Sequence, residues 1–379
     1  MHIETLTWTT EQGWTPRRPA DATTPDLILY FGPTEVLARP DGPARELHAA
    51  FPEAVCAGCS TAGEIFAATV GDRSVSAALI KFADTRVRGA THAVAAPAES
   101  EAAGEKLARQ LSAPDLRHVL VLSDGLGVNG TTLTAGLRSA LPATVSVTGG
   151  LAGDGTAFKQ TLTGLGASLV PNQVVGIGFY GEKFSAHWGS AGGWLPFGPK
   201  RLVTRSVDNI LYELDGQPAL PIYKRYLGER AAGLPATGLL FPLEILPHRD
   251  TESGLVRTIL AVDEAAQSLT FAGDIPTGSY ARLMKAGNDA LVAGAATAAQ
   301  QASPPATGQT LAVLVSCVGR KLVLGQRVEE EVEAALSQLP AGTAAVGFYS
   351  YGEICPSTHA RGCDLHNQTM TLTVLGESA

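Results

Sequence analysis

The sequence lacks three features that would define its class at once: a long apolar run, a basic stripe and a paired set of cysteines. No apolar stretch reaches the roughly twenty residues that a membrane-spanning helix needs, so we expect no membrane insertion. Lysine and arginine are scattered through a chain of net charge −8, which argues against a nucleic-acid partner. The first residues show no basic segment followed by an apolar core, and the five cysteines are an odd count. We therefore expect a cytoplasmic protein with reduced thiols.

Charged residues are also few, at 17%, against 45% hydrophobic residues. This balance is typical of a well-buried globular protein and excludes a disordered one. A chain of 379 residues is long for one small core, so we expect two domains. The candidate connections are residues 189–199 and 299–310, which are rich in glycine, proline or small polar residues.

One turn occurs twice. Gly-Cys-Ser-Thr-Ala-Gly-Glu-Ile at residues 58–65 returns as Gly-Phe-Tyr-Ser-Tyr-Gly-Glu-Ile at residues 347–354, with the first and the last three positions identical. A short apolar run precedes each copy, at residues 27–31 and 311–315, followed by an amphipathic stretch. This pattern indicates a βαβ-like unit that is used more than once.

A weaker third copy lies between these two. The apolar run 119–122 leads through a glycine-rich turn to a helix whose Leu133, Leu137 and Leu141 share one face, and a second strand ends in another glycine-rich turn at 149–155. We predict an α/β fold of two related halves, built from repeated βαβ units with mostly buried mixed or parallel sheets.

Three local patterns resemble known sites without completing them. Residues 125–130 fit G-x-G-x-x-G, but no acid ends the next strand, so a tight turn is favoured over dinucleotide binding; its helix start could still receive an anionic group. Cys56 and Cys59 have redox-motif spacing but follow a strand, which favours small buried residues. Residues 355–366 hold two cysteines and two histidines, suited to zinc or haem iron, without a C-x-x-C pair.

The repeated turns place two acids, Glu64 and Glu353, in equivalent positions. If both faced one cleft, they could bind a cation or ammonium group, or perform acid–base chemistry, which keeps an enzyme as an alternative. The other interpretation is that each carboxylate caps its own turn by accepting hydrogen bonds. No nucleophile and base with recognisable spacing occur, so we assign no catalytic residue.

Arg320 and Cys317 follow the buried run 311–315, in the loop where α/β proteins commonly bind ligands. A guanidinium can hold a ligand carboxylate through two hydrogen bonds. An intramolecular salt bridge, to an acid such as Glu353, is the alternative.

Several separated motifs, in order from about residue 26 onwards, resemble the FIST family of sensory modules. Residues 58–65 are similar to the signature of its amino-terminal half; residues 209–219, with Tyr223 and Tyr226, are similar to the start of its carboxy-terminal half. Residues 316–320, 347–354 and 365–370 are similar to its end. The resemblance implies a FIST N-terminal domain over 26–198 and a FIST C-terminal domain over 199–379.

The same resemblance implies a non-catalytic sensor that binds a small ligand, amino-acid-like or otherwise anionic, and signals to a partner protein. Some stand-alone members of the family bind haem, sense nitric oxide and regulate histidine kinases, so haem is the alternative cofactor. His248, His359 and His366 are the candidate haem ligands, and Trp188, Trp194, Phe197 and Phe241 could line the pocket.

We predict that the ligand lies at the carboxyl ends of the strands, where the glycine turns converge. The predicted ligand-binding residues are Gly58, Ser60, Thr61, Gly63, Glu64, Cys317, Arg320, Tyr351, Gly352, Glu353 and Asn367.

Overall fold

The computed structural model describes residues 1–16, 23–303, 308–357 and 360–378. Its α-helices span Thr34–Leu37, Pro43–Ala50, Ser100–Leu111, Gly130–Ala140, Ala219–Leu227, Asn288–Ala302, Val318–Leu324 and Val328–Leu336. Within these described ranges, no helix is long and apolar enough to cross a membrane.

Three units of one topology form the core. In each unit, a first strand is followed by a helical segment and then by a second strand that pairs with the first strand in parallel. A third strand pairs antiparallel with the opposite side of the first strand. The first strands are Leu27–Gly32, Leu116–Ser123 and Leu311–Cys317, and the second are Val55–Ser60, Ser146–Leu151 and Ala344–Ser350. The third strands are Val75–Lys81, Gln173–Tyr180 and Met370–Glu377. Central strands like these are buried on both faces, which is why they read as continuous apolar runs.

Each unit gives a hairpin to the sheet of another unit. The hairpin Glu64–Phe66 and Thr69–Gly71 of the first unit pairs with the second strand of the third unit. The hairpin Thr163–Leu165 and Ser168–Val170 of the second unit pairs with the first unit. The hairpin Gly352–Ser357 and Ala360–His366 of the third unit pairs with the second unit. The exchange therefore closes into a ring.

Each of these sheets extends further on the side opposite the received hairpin. The first sheet adds His2–Thr9 and then Gly13–Thr15 at its edge, and the other two end in the edge strands Arg86–Ala93 and Phe184–Ala191.

Three equivalent backbone hydrogen bonds join the units where the hairpins cross over. The amide of Ala62 donates to the carbonyl oxygen of Tyr349 at 2.8 Å, and that of Gly153 donates to Ser60 at 3.0 Å. The amide of Tyr351 donates to Leu151 at 3.1 Å. Each turn is thereby anchored on the strand end of a different unit. We call this region the junction.

The inner faces of the three sheets pack on one another in a shared core. Leu29, Leu120 and Val313, each from a first strand, belong to one buried cluster. Phe31 and Phe348 stack within it, with ring centroids 4.9 Å apart. Helices cover the outer faces, among them the alanine-rich Asn288–Ala302, whose small residues allow close approach.

A fourth sheet is inserted into the third unit, between its edge strand and the helix Asn288–Ala302. It has its own apolar core. Its strands, in order, are Leu255–Arg257, Leu243–Leu246, Tyr280–Lys285, Arg201–Val207, Ile210–Leu214, Ser268–Phe271 and Ile259–Asp263, with Leu195–Pro196 and Gln217–Pro218 paired alongside. We call this element the inserted sheet.

The predicted α/β class, with repeated βαβ units and buried mixed sheets, is confirmed. The weaker middle copy is a full member of the repeat. The seam at 189–199 marks where the chain leaves the core for the inserted sheet. Part of the second seam, residues 304–307, lies outside the described residues.

Three equivalent glycines, Gly58, Gly149 and Gly347, lie at the closest approach of first and second strands. A Cβ on Gly347 would lie 2.0 Å from the carbonyl oxygen of Leu314, and the corresponding distances are 2.2 Å at Gly58 and 1.9 Å at Gly149. Because the opposing atom is backbone, we expect Gly347→Ala to lower the free energy of unfolding by about 3 kcal/mol or more in urea denaturation. Gly287→Ala is the control, since nothing lies within 4 Å of its added Cβ. Equal stability of the two variants would contradict this close packing.

Candidate functional site

A cavity of about 560 Å³ lies between the third unit and the inserted sheet. The core contributes the edge strand Phe184–Ala191, the loop at 192–194 that follows it, and the turn that precedes the last strand, Met370–Glu377. The inserted sheet contributes the opposite wall. The lining residues are Trp188, Gly189, Ser190, Ala191, Gly192, Gly193, Trp194, Glu244, Gly254, Leu255, Val256, Met284, Gln301, Pro356, His366, Asn367 and Thr369.

The turn that carries Asn367 is fixed by hydrogen bonds from several elements. Gln368 has a φ of 64°, and its side-chain Nε2 donates to the carbonyl of Leu239 at 3.0 Å. The indole N–H of Trp194 donates to the carbonyl of Gln368 at 2.8 Å. The amide and hydroxyl of Thr369 both donate to Glu353, at 3.1 and 2.9 Å. The floor of the cavity is therefore held in place before any ligand arrives.

The side chain of Asn367 takes no part in these hydrogen bonds. It is 1% exposed, and neither Nδ2 nor Oδ1 of its side chain has a hydrogen-bond partner among the described residues. An unpartnered buried amide costs about 1–3 kcal/mol, so such a group is normally paired in the functional state. Asn367 was predicted from the sequence as a ligand-binding residue, and the structure places it in the cavity wall.

The wall formed by the inserted sheet carries a buried carboxylate, Glu244. Its Oε2 accepts from Nε of Arg282 at 2.6 Å, and its Oε1 accepts from the amide of Gly254 at 2.9 Å. Glu244 is thus neutralised within the protein. Sequence reasoning missed Glu244, Gly254 and Met284, because only the folding of the inserted sheet against the core brings them to the cavity.

Glu64 and Glu353 each close their own turn with the same set of bonds. Oε1 of Glu64 accepts from the hydroxyl of Thr61 at 2.7 Å, and Oε1 of Glu353 accepts from Ser350 at 2.6 Å. Oε2 of Glu64 accepts from the amide and hydroxyl of Ser74, both at 3.3 Å. The capping alternative therefore describes both carboxyls. Glu353 approaches the cavity only through Thr369, which lines it.

The other predicted residues of the repeated turns lie at the junction. Gly58 makes the close approach to the first strand, and Gly63 has a φ of 140° that favours glycine. The hydroxyl of Ser60 accepts from the amide of Leu162 at 2.8 Å. Gly352 packs against Leu365, 2.9 Å from its added Cβ, without a positive φ. These contacts are structural, and a ligand-binding role for these residues stays a prediction.

Tyr351 lines a second, smaller cavity of about 220 Å³. Its hydroxyl donates to the carboxylate of Asp154, and the ring of Phe158 stacks on it with centroids 4.6 Å apart. Cys317 is buried, and its removal from water raises the pKa of the thiol well above its usual range. Burial and a raised thiol pKa both make Cys317 a poor nucleophile.

Arg320 is fully buried and forms an ion pair with Glu331, from Nε at 2.9 Å and from Nη2 at 2.7 Å. Nη1 donates to the carbonyl of Gly192, and Nη2 also donates to that of Leu291 at 2.8 Å. The geometry therefore favours the intramolecular alternative, with Glu331 in place of Glu353. Through Gly192, Arg320 supports the cavity wall from behind.

The glycine-rich turn at 125–130 already contains its own anion. Oδ1 of Asp124 accepts from the amides of Leu126 and Gly127, at 2.9 and 2.6 Å. Oδ1 of Asn129 accepts from the amides of Thr131 and Thr132 at the helix start. These donors are occupied within the protein, so the turn serves local structure.

Of the candidate haem ligands, only His366 can be placed at the cavity. His248 is exposed, and His359 lies outside the described residues. Trp188 and Trp194 line the cavity with His366. In the described part of the chain, no three His, Cys, Asp or Glu side chains are grouped to hold a metal ion, and all five cysteines are buried free thiols.

Comparison with known proteins gives two family matches. The model of the FIST N domain matches residues 26–217, and that of the FIST C domain matches residues 219–356. No curated protein matches the chain. Among solved structures, a cyanuric acid hydrolase from A. caulinodans is 11% identical over 78% of this chain and 100% of that chain, with a TM-score of 0.19. So low a TM-score carries no argument about fold or activity.

Burial raises the pKa of the carboxyls of Glu64 and Glu353 from 4.5 to about 7. The folded state therefore binds more protons than the unfolded chain between these values. Its stabilisation is complete below about pH 4.5 and is lost as pH rises through 7. For one such carboxyl, the free energy of unfolding should fall by roughly 2–3 kcal/mol between pH 5 and pH 8. We expect Glu353→Gln to lose the share of this fall that Glu353 contributes. The exposed Glu11→Gln is the control, and an unchanged pH profile in Glu353→Gln would contradict the shift.

Proposed function

The chain belongs to the FIST family, whose domains are small-ligand sensory modules in signal transduction, and from this premise we propose that it senses a small ligand bound in the cavity between the third unit and the inserted sheet. The unpartnered amide of Asn367 is the observation that carries the proposal. Amino acids and their derivatives, the class implied by the resemblance, have the donors and acceptors that this amide needs.

The hydrogen bonds behind the cavity suggest how occupancy reaches a partner. Arg320 holds the carbonyl of Gly192 on one wall and pairs with Glu331, in the helix Val328–Leu336. In this proposal, a ligand that displaces the wall segment would shift the helix through this buried pair. The receiving partner in this proposal is a histidine kinase or another signalling protein.

Filling the cavity tests its role as the ligand site. Val256 lines the cavity, so Val256→Trp should block it. Val207→Trp is the control, because Val207 lies on the surface of the inserted sheet with 56% of its area exposed. We expect a panel of standard amino acids, their amides and uncharged cyclic amides to include one ligand that stabilises the wild type and Val207→Trp by about 2.7 kcal/mol at a hundredfold excess over Kd. Val256→Trp should lose this stabilisation in thermal unfolding, and retained stabilisation would place the ligand elsewhere.

Haem is the second candidate, favoured by the position of His366 beside Trp188 and Trp194. Nε2 of His366 lies 3.1 Å from the carbonyl oxygen of Cys355, a bond of the kind that orients a ligating imidazole. Against this, Asn367 carries a buried amide that the face of a macrocycle would leave without partners.

Haemin titration separates the two candidates. A haem site predicts a sharp Soret band that is lost in His366→Ala and kept in His248→Ala, since His248 is exposed. Broad absorbance that is the same in both variants would remove the haem candidate and leave the small polar ligand.

A further inference from the structure

The charges around the cavity argue against an anionic ligand. Among the described residues that line it, none is lysine or arginine. The lining carboxylate, Glu244, already has Arg282 as its partner, and Glu353 lies behind Thr369. Among the described lining residues, a desolvated ligand carboxylate or phosphate would therefore find no lysine or arginine to pair with it.

The aromatic side chains favour a flat ligand. Trp188 and Trp194 both line the cavity, and Trp194 is held by its bond to the carbonyl of Gln368. A fixed indole offers a face on which a planar ring gains stacking energy without losing side-chain entropy at binding. A volume of about 560 Å³ accommodates one or two fused rings.

The polar groups at the floor require a donor and an acceptor together. Asn367, which lines the cavity, has both Nδ2 and Oδ1 without partners among the described residues. A carboxamide of this kind pairs with a ring edge that presents an acceptor next to an N–H, as asparagine does with a nucleobase.

We infer that the cavity binds an uncharged planar ligand with a hydrogen-bond donor and acceptor side by side on one edge, the class of free nucleobases and other cyclic amides. The inference rests on the proposed function of the cavity as the ligand site. Trp188 and Trp194 contribute aromatic surface and Asn367 pairs with the edge of the ring, while the described lining residues offer no lysine or arginine to a phosphorylated form.

The experiment is isothermal titration of the full chain with four matched probes: uracil, 1,3-dimethyluracil, uridine monophosphate and adenine. We expect uracil or adenine to bind, uridine monophosphate to bind no more tightly than uracil, and 1,3-dimethyluracil, which lacks the N–H, to bind at least tenfold more weakly than uracil. Asn367→Leu should weaken binding by roughly tenfold to hundredfold. Trp188→Leu, which leaves the floor intact, is a second variant in case Asn367→Leu does not fold, and should also weaken binding.

Three results would overturn the inference: tighter binding of the phosphorylated probe, no binding of either base, or base affinity unchanged in Asn367→Leu. The last of these would mean that the amide is satisfied by buried water alone. If amino acids stabilise the wild type but not Val256→Trp while the bases fail to bind, the cavity remains the sensory site and only this ligand class is wrong. If Val256→Trp retains every stabilising ligand, the proposed function itself falls.

Discussion

The fold depends on three backbone hydrogen bonds that form a closed cycle at the junction. Each anchors the turn of one unit on the strand end of another, and each turn then delivers a hairpin to that same neighbour. No unit can complete its sheet alone, so the stability of each depends on the other two. The glycines at the closest strand contacts permit this arrangement, since a side chain there would meet backbone that cannot move.

The threefold pattern is imperfect, and its imperfections create the cavities. The first and third units carry a glutamate at the start of the exchanged hairpin, whereas the second has Thr163 there. The second unit also has a longer turn, in which Asp154 binds the hydroxyl of Tyr351. The third unit alone carries the inserted sheet, which gives its edge strand an opposite wall. The cavity that contains Asn367 lies between this edge strand and that wall.

Local patterns were sufficient for the repeated turn, the buried strands and the equivalence of Glu64 with Glu353, whose matching bonds to Thr61 and Ser350 follow from identical spacing. They could not show that the hairpins are exchanged, because alternation along a strand specifies a buried face and not the partner strand. The sequence also could not identify which acid pairs with Arg320. Glu331 and Glu353 are both acids at plausible distance along the chain, and only the packing of the helix Val328–Leu336 decides between them. Asn367 was predicted as a ligand-binding residue within a family motif, and this role stays a prediction, whereas Glu244 reaches the cavity through tertiary structure alone.

The ring of exchanged hairpins also determines how the molecule behaves when its chain is divided. A fragment that ends before residue 352 leaves the strand Ser146–Leu151 with a bare edge, and the remaining fragment holds the hairpin that fits it. The two pieces are therefore complementary, in the manner of donor-strand assembly. In the same geometry, a hairpin received from a second chain would satisfy this edge as well as one received in cis.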